Sequence, residues 1–214
     1  MTVPETTLMI IRHSETTWNR DRRFQGHGDS DLTARGRAQA DALGRRLEQM
    51  PFEDLLSSDL GRTQATAGII AAHTGHTVQS DPRLRERHYG VLEGLNIHEI
   101  KRDHAEVYAR LITEDPAFVI PEGESHHQHY AYNIDFLEEW LRKRPGSTAA
   151  IVTHGGFLDN VFRYIAGRTL DAPRCILAGN ASLSTIIYGQ FYGSPRWIIR
   201  SWGDVGHLTE MAES

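Results

Sequence analysis

The stretch Leu8-Met9-Ile10-Ile11-Arg12-His13 places four consecutive apolar residues directly before an arginine and a histidine. An uninterrupted apolar run, rather than an alternating one, is typical of a strand buried on both faces, as in a parallel sheet flanked by helices. Ligands of such sheets bind beyond the carboxyl ends of the strands, which is where Arg12 and His13 fall. The pair therefore indicates an anion site that contains a nucleophile or an acid–base group, although a strand end that merely meets solvent would give the same two residues.

The same order of residues recurs near position 150. The apolar run 148–152 precedes Thr153-His154-Gly155-Gly156, and residues 157–166 have the pattern of a helix. The two glycines allow a tight turn and close approach of the backbone, and a helix start offers free N–H groups to an anion. Two strand-then-histidine units in one chain favour a functional interpretation over two chance strand ends.

Composition narrows the class of protein. The 214 residues are enough to bury a full core, and a net charge of −5, from 23 basic and 28 acidic residues, gives no indication of a nucleic-acid or membrane surface. Cys175 is the single cysteine, so no internal disulfide can form and a reducing compartment is expected. Residues 1–7 lack the basic start and apolar core of a signal peptide, and no apolar run approaches the roughly 20 residues of a membrane helix. We therefore expect a cytoplasmic protein with neither nucleic-acid nor membrane partners.

Capping residues mark the helix that would carry a further basic group. Thr33 is a candidate N-cap for a helix that Pro51 closes, and a short strand at 54–58 leads into a second helix that runs to Gly75. Arg62 falls in the first turn of this second helix, where a basic residue opposes the helix dipole. An anion bound at the helix start would reverse that unfavourable charge, which is a reason to consider Arg62 functional.

The remaining elements follow from apolar spacing and from Gly and Pro positions. We predict a third strand at 76–79, a helix at 97–111, a helix from its cap at Ser125 to about Arg144, and a hairpin of 182–188 with 197–202. Residues 1–214 are expected to form one domain, in which the region 86–130 is an irregular cap.

Three histidines, His126, His127 and His129, open the helix that Ser125 is expected to cap. A pair at positions i and i+3 could meet on one helix face and bind a metal. No HExxH or cysteine–histidine pattern accompanies them, so no metal site is predicted.

Taken in order, the motifs of the chain resemble those of the histidine phosphatase superfamily, the phosphoglycerate-mutase-like group. The resemblance covers roughly residues 8–160 and is specific only as an ordered set, because each motif is weak by itself. The motifs are Arg12-His13-Ser14-Glu15-Thr16, Trp18-Asn19, Phe24-Gln25-Gly26, Leu32-Thr33 with Gly36, Ser57-Ser58-Asp59-Leu60 with Arg62, Leu84-Arg85-Glu86, Gly90 with Glu93-Gly94, Gly123-Glu124-Ser125 and Thr153-His154-Gly155-Gly156.

The resemblance implies a three-layer α/β/α sandwich with a mostly parallel central sheet and a small helical cap insertion. His13 would be the nucleophile that becomes phosphohistidine, and Glu86 would be the proton donor. The phosphate pocket would be formed by the side chains of Arg12, Arg62 and His154. This scheme requires no metal and no cofactor. Other positions expected at the substrate are Ser14, Asn19, Gln25, Gly26, Tyr89 and Gly155.

The residue types suit that chemistry. Phosphoryl transfer needs much charge stabilisation, which two arginines and a cationic His154 would supply. His13 must be neutral at one nitrogen in order to attack, and its other N–H is best fixed by a carbonyl or carboxylate that the sequence does not identify. Burial would raise the pKa of Glu86 and nearby arginines would lower it, so the sign of the net shift is open at this point.

Two motifs and the length of one segment bear on the choice between a phosphatase and a mutase. Glu86-Arg87-His88-Tyr89-Gly90 resembles the mutase form of its loop, whereas Phe24-Gln25-Gly26 resembles the phosphatase form. Only 28 residues lie between Gly94 and Gly123, where similar mutases carry a much longer insertion. A shorter cap leaves the pocket more open to water, which favours a phosphatase over a cofactor-dependent phosphoglycerate mutase.

Other questions stay open on sequence alone. Ser14 stands where the family most often has glycine, and its hydroxyl either donates to the phosphate or merely restricts the backbone. A non-catalytic phospho-ligand binder on the same fold and a metallohydrolase are alternatives from other classes. The substrate is expected to be a small phosphorylated metabolite, polar or acidic, such as a sugar phosphate, phosphoglycerate, phosphoserine or a nucleotide-derived monoester. A homodimer could form through the C-terminal strands.

Overall fold

The opening apolar run lies at the centre of a mixed sheet in the computed structural model, which describes residues 3–211. Strand β1 (Thr6–Arg12) pairs in parallel with β4 (Thr148–Thr153) and antiparallel with β5 (Leu183–Phe191). Met1 and Thr2, which belong to the segment considered above for a signal peptide, lie outside the described residues.

The order of strands across the sheet is β3-β2-β4-β1-β5-β6. The other three are β2 (Asp54–Ser57), β3 (Val78–Ser80) and β6 (Ser194–Asp204). The first four strands in that order are mutually parallel, and β5 and β6 close the sheet as an antiparallel hairpin. Because β2, β4 and β1 are parallel neighbours, the residues that follow each of them meet at one edge of the sheet.

Helices cover both faces of this sheet, which confirms the three-layer α/β/α arrangement. Leu8 and Ile10 pack against α6 (His126–Lys143) and α7 (Gly155–Ala166) on one face, and Met9 and Ile11 pack against α2 (Ala34–Glu48) and α3 (Gly61–Thr74) on the other. The run is therefore apolar at every position because each face of β1 meets a separate core. The α-helices of the described chain are α1 (Thr17–Arg20), α2 (Ala34–Glu48), α3 (Gly61–Thr74), α4 (Ile97–Asp103), α5 (Ala105–Leu111), α6 (His126–Lys143) and α7 (Gly155–Ala166).

The cap has a small core of its own, separate from the two sheet cores. Leu92, Ile100 and Ile120 are fully buried there, and Phe24 and Tyr89 pack against them. Short 3₁₀ helices at Pro82–Leu84 and Gly90–Leu92 lead into this region, and another at Gly206–Met211 follows β6. None of the helices within residues 3–211 is long and apolar enough to cross a membrane.

Four of the predicted elements need correction. The helix expected at 97–111 is two helices, because His104 has φ −135° and ψ 46°, outside the helical region. The apolar spacing continues across this break, so periodicity alone misses it. Gly155 and Gly156 do not form a tight turn but the first turn of α7. The third strand is shifted to 78–80, and both strands of the final hairpin are longer than predicted.

Candidate active site

His13 follows β1 directly and is 3% exposed. Its Nδ1 lies 2.9 Å from the carbonyl oxygen of Ser14. A carbonyl only accepts, so Nδ1 carries the proton and Nε2 keeps its lone pair. Burial, then the charges of Arg62 and Arg12, hold the pKa of His13 well below its usual range. The fixing group that the sequence left open is thus the next residue's carbonyl, and it leaves Nε2 in the form that attacks.

His154 follows β4 and meets His13 across the two parallel strands. The register pairs Arg12 with Thr153, and the two imidazole centroids are 5.3 Å apart. His154 Nδ1 lies 3.1 Å from an Nη of Arg62, which can only donate, so the proton of His154 is on Nε2. Burial and the Arg62 charge hold its pKa well below the usual range. In the free protein the ring is therefore a neutral donor, and the cationic His154 expected during phosphoryl transfer stays a prediction.

Arg62 lies in the first turn of α3 and is 2% exposed. Its guanidinium donates to the carbonyl oxygens of Gly26 at 2.7 Å and Gly28 at 2.9 Å, and to Asp29 Oδ1 at 3.0 Å. Asp29 also accepts from the backbone N–H groups of Gly61 and Arg62. The negative charge expected at the start of this helix is thus supplied by Asp29, which both caps α3 and fixes Arg62.

Several buried polar atoms around His13 have no hydrogen-bond partner among residues 3–211. Burying a donor without a partner costs about 1–3 kcal/mol, so a cluster of such atoms calls for a ligand. The guanidinium nitrogens and the imidazole N–H are donors that suit the oxygens of a phosphate. The atoms are Nε of Arg12, Nε of Arg62, Nε2 of His154 and Oγ of Ser14.

The Glu86 carboxylate is held by backbone donors. It accepts from the N–H of Gly156 and the N–H of Arg87, both at 3.0 Å. Burial raises its pKa, whereas the two backbone donors and the Arg62 charge lower it, as does His129 whenever that ring is protonated on both nitrogens; the net direction of the pKa of Glu86 is downward. The direction that the sequence left open is thus downward, which favours the ionised carboxylate in the free protein. It also means that α7 offers the Gly156 N–H to Glu86 and not directly to an anion.

Asn19 and Gln25 stand at the site, but their side-chain oxygens are already engaged. Asn19 Oδ1 accepts from the Thr16 backbone N–H at 3.2 Å and from Asn180 Nδ2 at 3.1 Å. Gln25 Oε1 accepts from the Thr16 hydroxyl at 3.0 Å. Only the amide nitrogens of the two side chains remain as donors for a substrate.

The other predicted substrate positions act in different ways. Gly26 has φ +57° and supplies a carbonyl to Arg62. Tyr89 packs edge-on against Phe24, and burial raises the pKa of its hydroxyl to about 12. Gly155 presents its carbonyl oxygen to Arg174 at 3.1 Å. Ser14 is fully buried, and its backbone N–H donates to Thr66 Oγ1 at 3.2 Å.

A cavity of about 220 Å³ adjoins this site beneath the cap. Arg174 reaches it from the loop after α7, and a Cβ on residue 155 would lie 3.6 Å from its Nη2 and 3.7 Å from Arg12 Nε. Arg87 lines the same cavity, and among residues 3–211 its guanidinium donates to the carbonyl oxygens of Glu124 and Phe118 and to no carboxylate. The lining residues are Arg87, Tyr89, Leu111, Glu114, Asp115, Phe118, His126, Asp159, Arg163, Leu170 and Arg174.

Sequence analysis missed Asp29, Arg174, Asn180 and the role of His129. Asp29 lies 33 positions from Arg62 and Asn180 lies 167 positions from His13, so no local spacing could link them. His129 was considered as a metal ligand and not as a partner of Glu86. The structure engages it with Asn160 and Arg85, and no group of three or more potential ligands within residues 3–211 is arranged to hold a metal.

Comparisons with known proteins agree with this geometry. The model of the histidine phosphatase superfamily, branch 1, matches residues 8–204. Proteins named "Probable phosphoglycerate mutase GpmB" are 36% identical in Cronobacter sakazakii, over 94% of each chain, and 37% identical in Escherichia fergusonii, over the same share. The chain therefore belongs to the histidine phosphatase superfamily.

Solved structures resemble it over nearly the whole chain. Bacillus stearothermophilus YhfR has a TM-score of 0.84 at 30% identity and covers 95% of this chain and 99% of its own. The native mycobacterial glucosyl-3-phosphoglycerate phosphatase has a TM-score of 0.80 at 29% identity, with 93% and 99% covered. Relatives by sequence thus carry a mutase name, while a neighbour by structure carries a phosphatase name.

Proposed function

We propose that this protein is a phosphatase that hydrolyses a small phosphomonoester through a phosphohistidine on His13, without a metal. One observation carries the proposal: His13 keeps a free Nε2 beside a cluster of buried donors that have no hydrogen-bond partner in the described part of the chain. Such a set is complementary to a phosphoryl group that increases its charge separation during transfer. Two arginines meet that charge without a metal ion.

The first step joins His13 Nε2 to phosphorus while the ester P–O bond breaks. The electron pair of that bond leaves with the alkoxide, which takes a proton from Glu86. In the second step water attacks phosphorus and gives its proton to the Glu86 carboxylate. The P–N bond breaks, inorganic phosphate departs and His13 returns to its starting form.

Glu86 must gain a proton before it can donate one. A bound phosphate places negative charge near the carboxylate, and a like charge raises a carboxyl pKa. Phosphomonoesters have a second pKa near about 6, so a substrate that binds as the monoanion brings the proton with it. The same phosphate favours the protonated form of His154, which then adds charge to the pocket.

Hydrolysis is preferred to mutase chemistry because of the cap. Only 28 residues separate Gly94 from Gly123, and they form the two short helices α4 and α5 with their connections. A small cap leaves phosphohistidine accessible to water, which competes with return of the phosphoryl group to a second substrate. The second candidate function is a phosphoglycerate mutase, because the relatives at 36% and 37% identity carry that name.

The test is phosphate release from a panel of phosphomonoesters and p-nitrophenyl phosphate in EDTA. We expect release by the wild type, loss in His13→Ala, and retention in His98→Ala, which removes an exposed histidine of the cap. 3-Phosphoglycerate is assayed in parallel for isomerisation with and without 2,3-bisphosphoglycerate. Efficient isomerisation with little phosphate release would replace the phosphatase by the mutase. Stabilisation by phosphate without hydrolysis of any ester would indicate a phospho-ligand binder.

A further inference from the structure

His129 lies in the first turn of α6 and is 1% exposed, although imidazole is a polar group. Its ring lies beside the proposed proton donor. A Cβ on residue 156 would lie 2.8 Å from His129 Cε1 and 2.0 Å from Glu86 Oε1, so both side chains contact the same backbone position of α7.

A closed hydrogen-bond network surrounds this ring. Asn133 Nδ2 donates to the carbonyl oxygen of Arg83 at 2.8 Å. Asn160 Nδ2 donates to Asn133 Oδ1 at 2.8 Å and lies 3.1 Å from His129 Nδ1. His129 Nε2 lies 3.1 Å from the carbonyl oxygen of Arg85. The network thus joins α6 and α7 to the backbone that leads into Glu86.

Backbone carbonyls fix every orientation in this network, because they can only accept. The Arg83 carbonyl requires the amide nitrogen of Asn133, whose oxygen therefore faces Asn160 and requires its amide nitrogen. That nitrogen donates to His129 Nδ1, so the single proton of His129 is on Nε2, where the Arg85 carbonyl accepts it. A second proton on Nδ1 would face a donor. His129 is therefore a neutral imidazole in one tautomer.

The anchored backbone has little other regular structure. The segment 83–86 leaves the 3₁₀ helix Pro82–Leu84 and enters a loop. Two of its carbonyls are held by the network, and that of Glu86 lies 3.0 Å from His27 Nε2. Charged and titratable groups near the His129 ring are Glu86, Glu124, Arg87, His154 and His126, whose Nε2 lies 2.8 Å from Asn160 Oδ1, with Tyr132 edge-on at 5.4 Å.

We propose that His129 is a positioning residue for the proton transfer: it holds the backbone before Glu86 and thereby keeps the carboxylate against the Gly156 N–H, within reach of the leaving group. The inference rests on the proposed function, because it requires Glu86 to be the proton donor. A displacement of about 1 Å at a reacting group can cost up to roughly 100-fold in rate.

The test compares leaving groups. His129→Phe keeps a ring but removes both hydrogen bonds, whereas His129→Gln retains an amide that can reach the Arg85 carbonyl. We expect His129→Phe to lower kcat/KM on an alkyl phosphomonoester by roughly 10- to 100-fold, because this ratio reports the transfer to His13 and not the hydrolysis of phosphohistidine that all substrates share. The loss on p-nitrophenyl phosphate should be much smaller, because p-nitrophenolate leaves without a proton. The activity of His129→Gln on the alkyl phosphomonoester should fall less. The activity of His127→Gln, which changes an exposed neighbour on the same turn, should not fall.

Glu86→Gln distinguishes a failure of the proposed function from a failure of the inference about His129. It should show the same dependence on leaving group, and adding His129→Phe to it should cause no further loss. If Glu86→Gln has no such dependence, Glu86 is not the donor and the proposed mechanism fails first. If Glu86→Gln has it and His129→Phe lowers both substrates equally, His129 is merely structural and the inference is overturned.

A readout without turnover completes the test. The side-chain carboxyl of Glu86 can be titrated by ¹³C NMR in the wild type and in the variants. Loss of its fixed place beside the Gly156 N–H should move the titration midpoint upward in His129→Phe and leave it in place in His127→Gln. An unchanged midpoint in a folded His129→Phe would overturn the inference even if no substrate were turned over.

Discussion

The N–H of Gly156 donates to Glu86 Oε2 at 3.0 Å, and a Cβ on residue 156 would lie 2.0 Å from Oε1 of the same carboxylate. The start of α7 thus holds the carboxylate and leaves no room for a side chain. Gly156 is not among the glycines with positive φ, so contact and not backbone conformation requires glycine here.

Gly156→Ala should therefore damage proton transfer more than folding. The new methyl group displaces the Glu86 carboxylate, and we expect kcat on alkyl phosphomonoesters to fall at least roughly tenfold. The free energy of unfolding should change by less than the activation free energy, because alanine in a helix is favoured over glycine by up to about 1 kcal/mol. Gly68→Ala in α3, where a Cβ meets nothing within 4 Å, is the control and should be fully active. Wild-type kcat in Gly156→Ala would contradict the contact.

Asp29 should support Arg62 by charge as well as by capping. Asp29→Asn keeps an acceptor for the start of α3 but removes the ion pair with Arg62 at 3.0 Å. Leaving the buried guanidinium without its counter-ion should cost about 1–3 kcal/mol in unfolding and roughly tenfold in kcat/KM. Asp29→Ala should cost more, since it also removes the cap.

Phosphate should restore part of the stability of Asp29→Asn, because the anion binds the unpaired guanidinium. Thermal unfolding with and without phosphate measures this. Asp31→Asn, an exposed carboxylate of the same loop, serves as the control. Equal unfolding temperatures for Asp29→Asn and Asp31→Asn would show that the ion pair contributes nothing.

The sequence correctly predicted those features that depend on a single strand or a single helix. The run before Arg12 predicts a strand buried on both faces, and it is one because β1 separates two cores. Thr33, Gly75 and Ser125 mark helix ends correctly, since capping is local chemistry. The order of motifs was enough to identify the superfamily.

The contacts and protonation states that the sequence did not predict depend on the order of the strands and on the burial of side chains from solvent. Arg62 meets His154 only because β2 and β4 are neighbours in the sheet. The neutral form of His154 follows from burial beside that same arginine, which residue type does not reveal. The sign of the Glu86 pKa shift likewise depends on two backbone donors and on His129, all brought together by the fold.

Buried neutral histidines should make the protein acid-sensitive. Burial lowers the pKa of His13, His129 and His154 below the usual value of about 6.5. The unfolded chain then binds protons that the native state does not, so stability falls as pH drops below about 6.5. Each such histidine can contribute up to about 1.4 kcal/mol per pH unit. Glu86, whose pKa is lowered, contributes stability that is lost only below about pH 4.3, outside this window.

Urea unfolding between pH 7 and pH 5 measures the slope of the unfolding free energy against pH. His154→Gln should flatten it by up to about 1.4 kcal/mol per pH unit, because one titrating group is gone. His98→Ala, which removes an exposed histidine, should leave it unchanged. A slope that is the same in His154→Gln and the wild type would mean that His154 is charged in the free protein.

The cavity beside the phosphate site should favour substrates with a second acidic group. The Arg87 guanidinium donates to two carbonyls but to no carboxylate within the described chain, and Asp159 is shared between Arg163 at 2.8 Å and Arg174 at 3.6 Å. Three of these four side chains are cationic and one is anionic, while Glu114 and Asp115 also line the cavity, Asp115 in an ion pair with Arg110 at 3.2 Å. Hydrogen bonds to charged groups contribute about 1.5–3 kcal/mol each.

Arg174→Ala should accordingly lower kcat/KM roughly 10- to 100-fold for a phosphomonoester that also bears a carboxylate, such as 3-phosphoglycerate or phosphoserine. p-Nitrophenyl phosphate, which has no second charge, should be nearly unaffected. Arg196→Ala, on the hairpin of β5 and β6, is a matched loss of charge away from the cavity. Equal losses on both classes of substrate would mean that Arg174 maintains the start of α7 through the Gly155 carbonyl and does not select an acidic substrate.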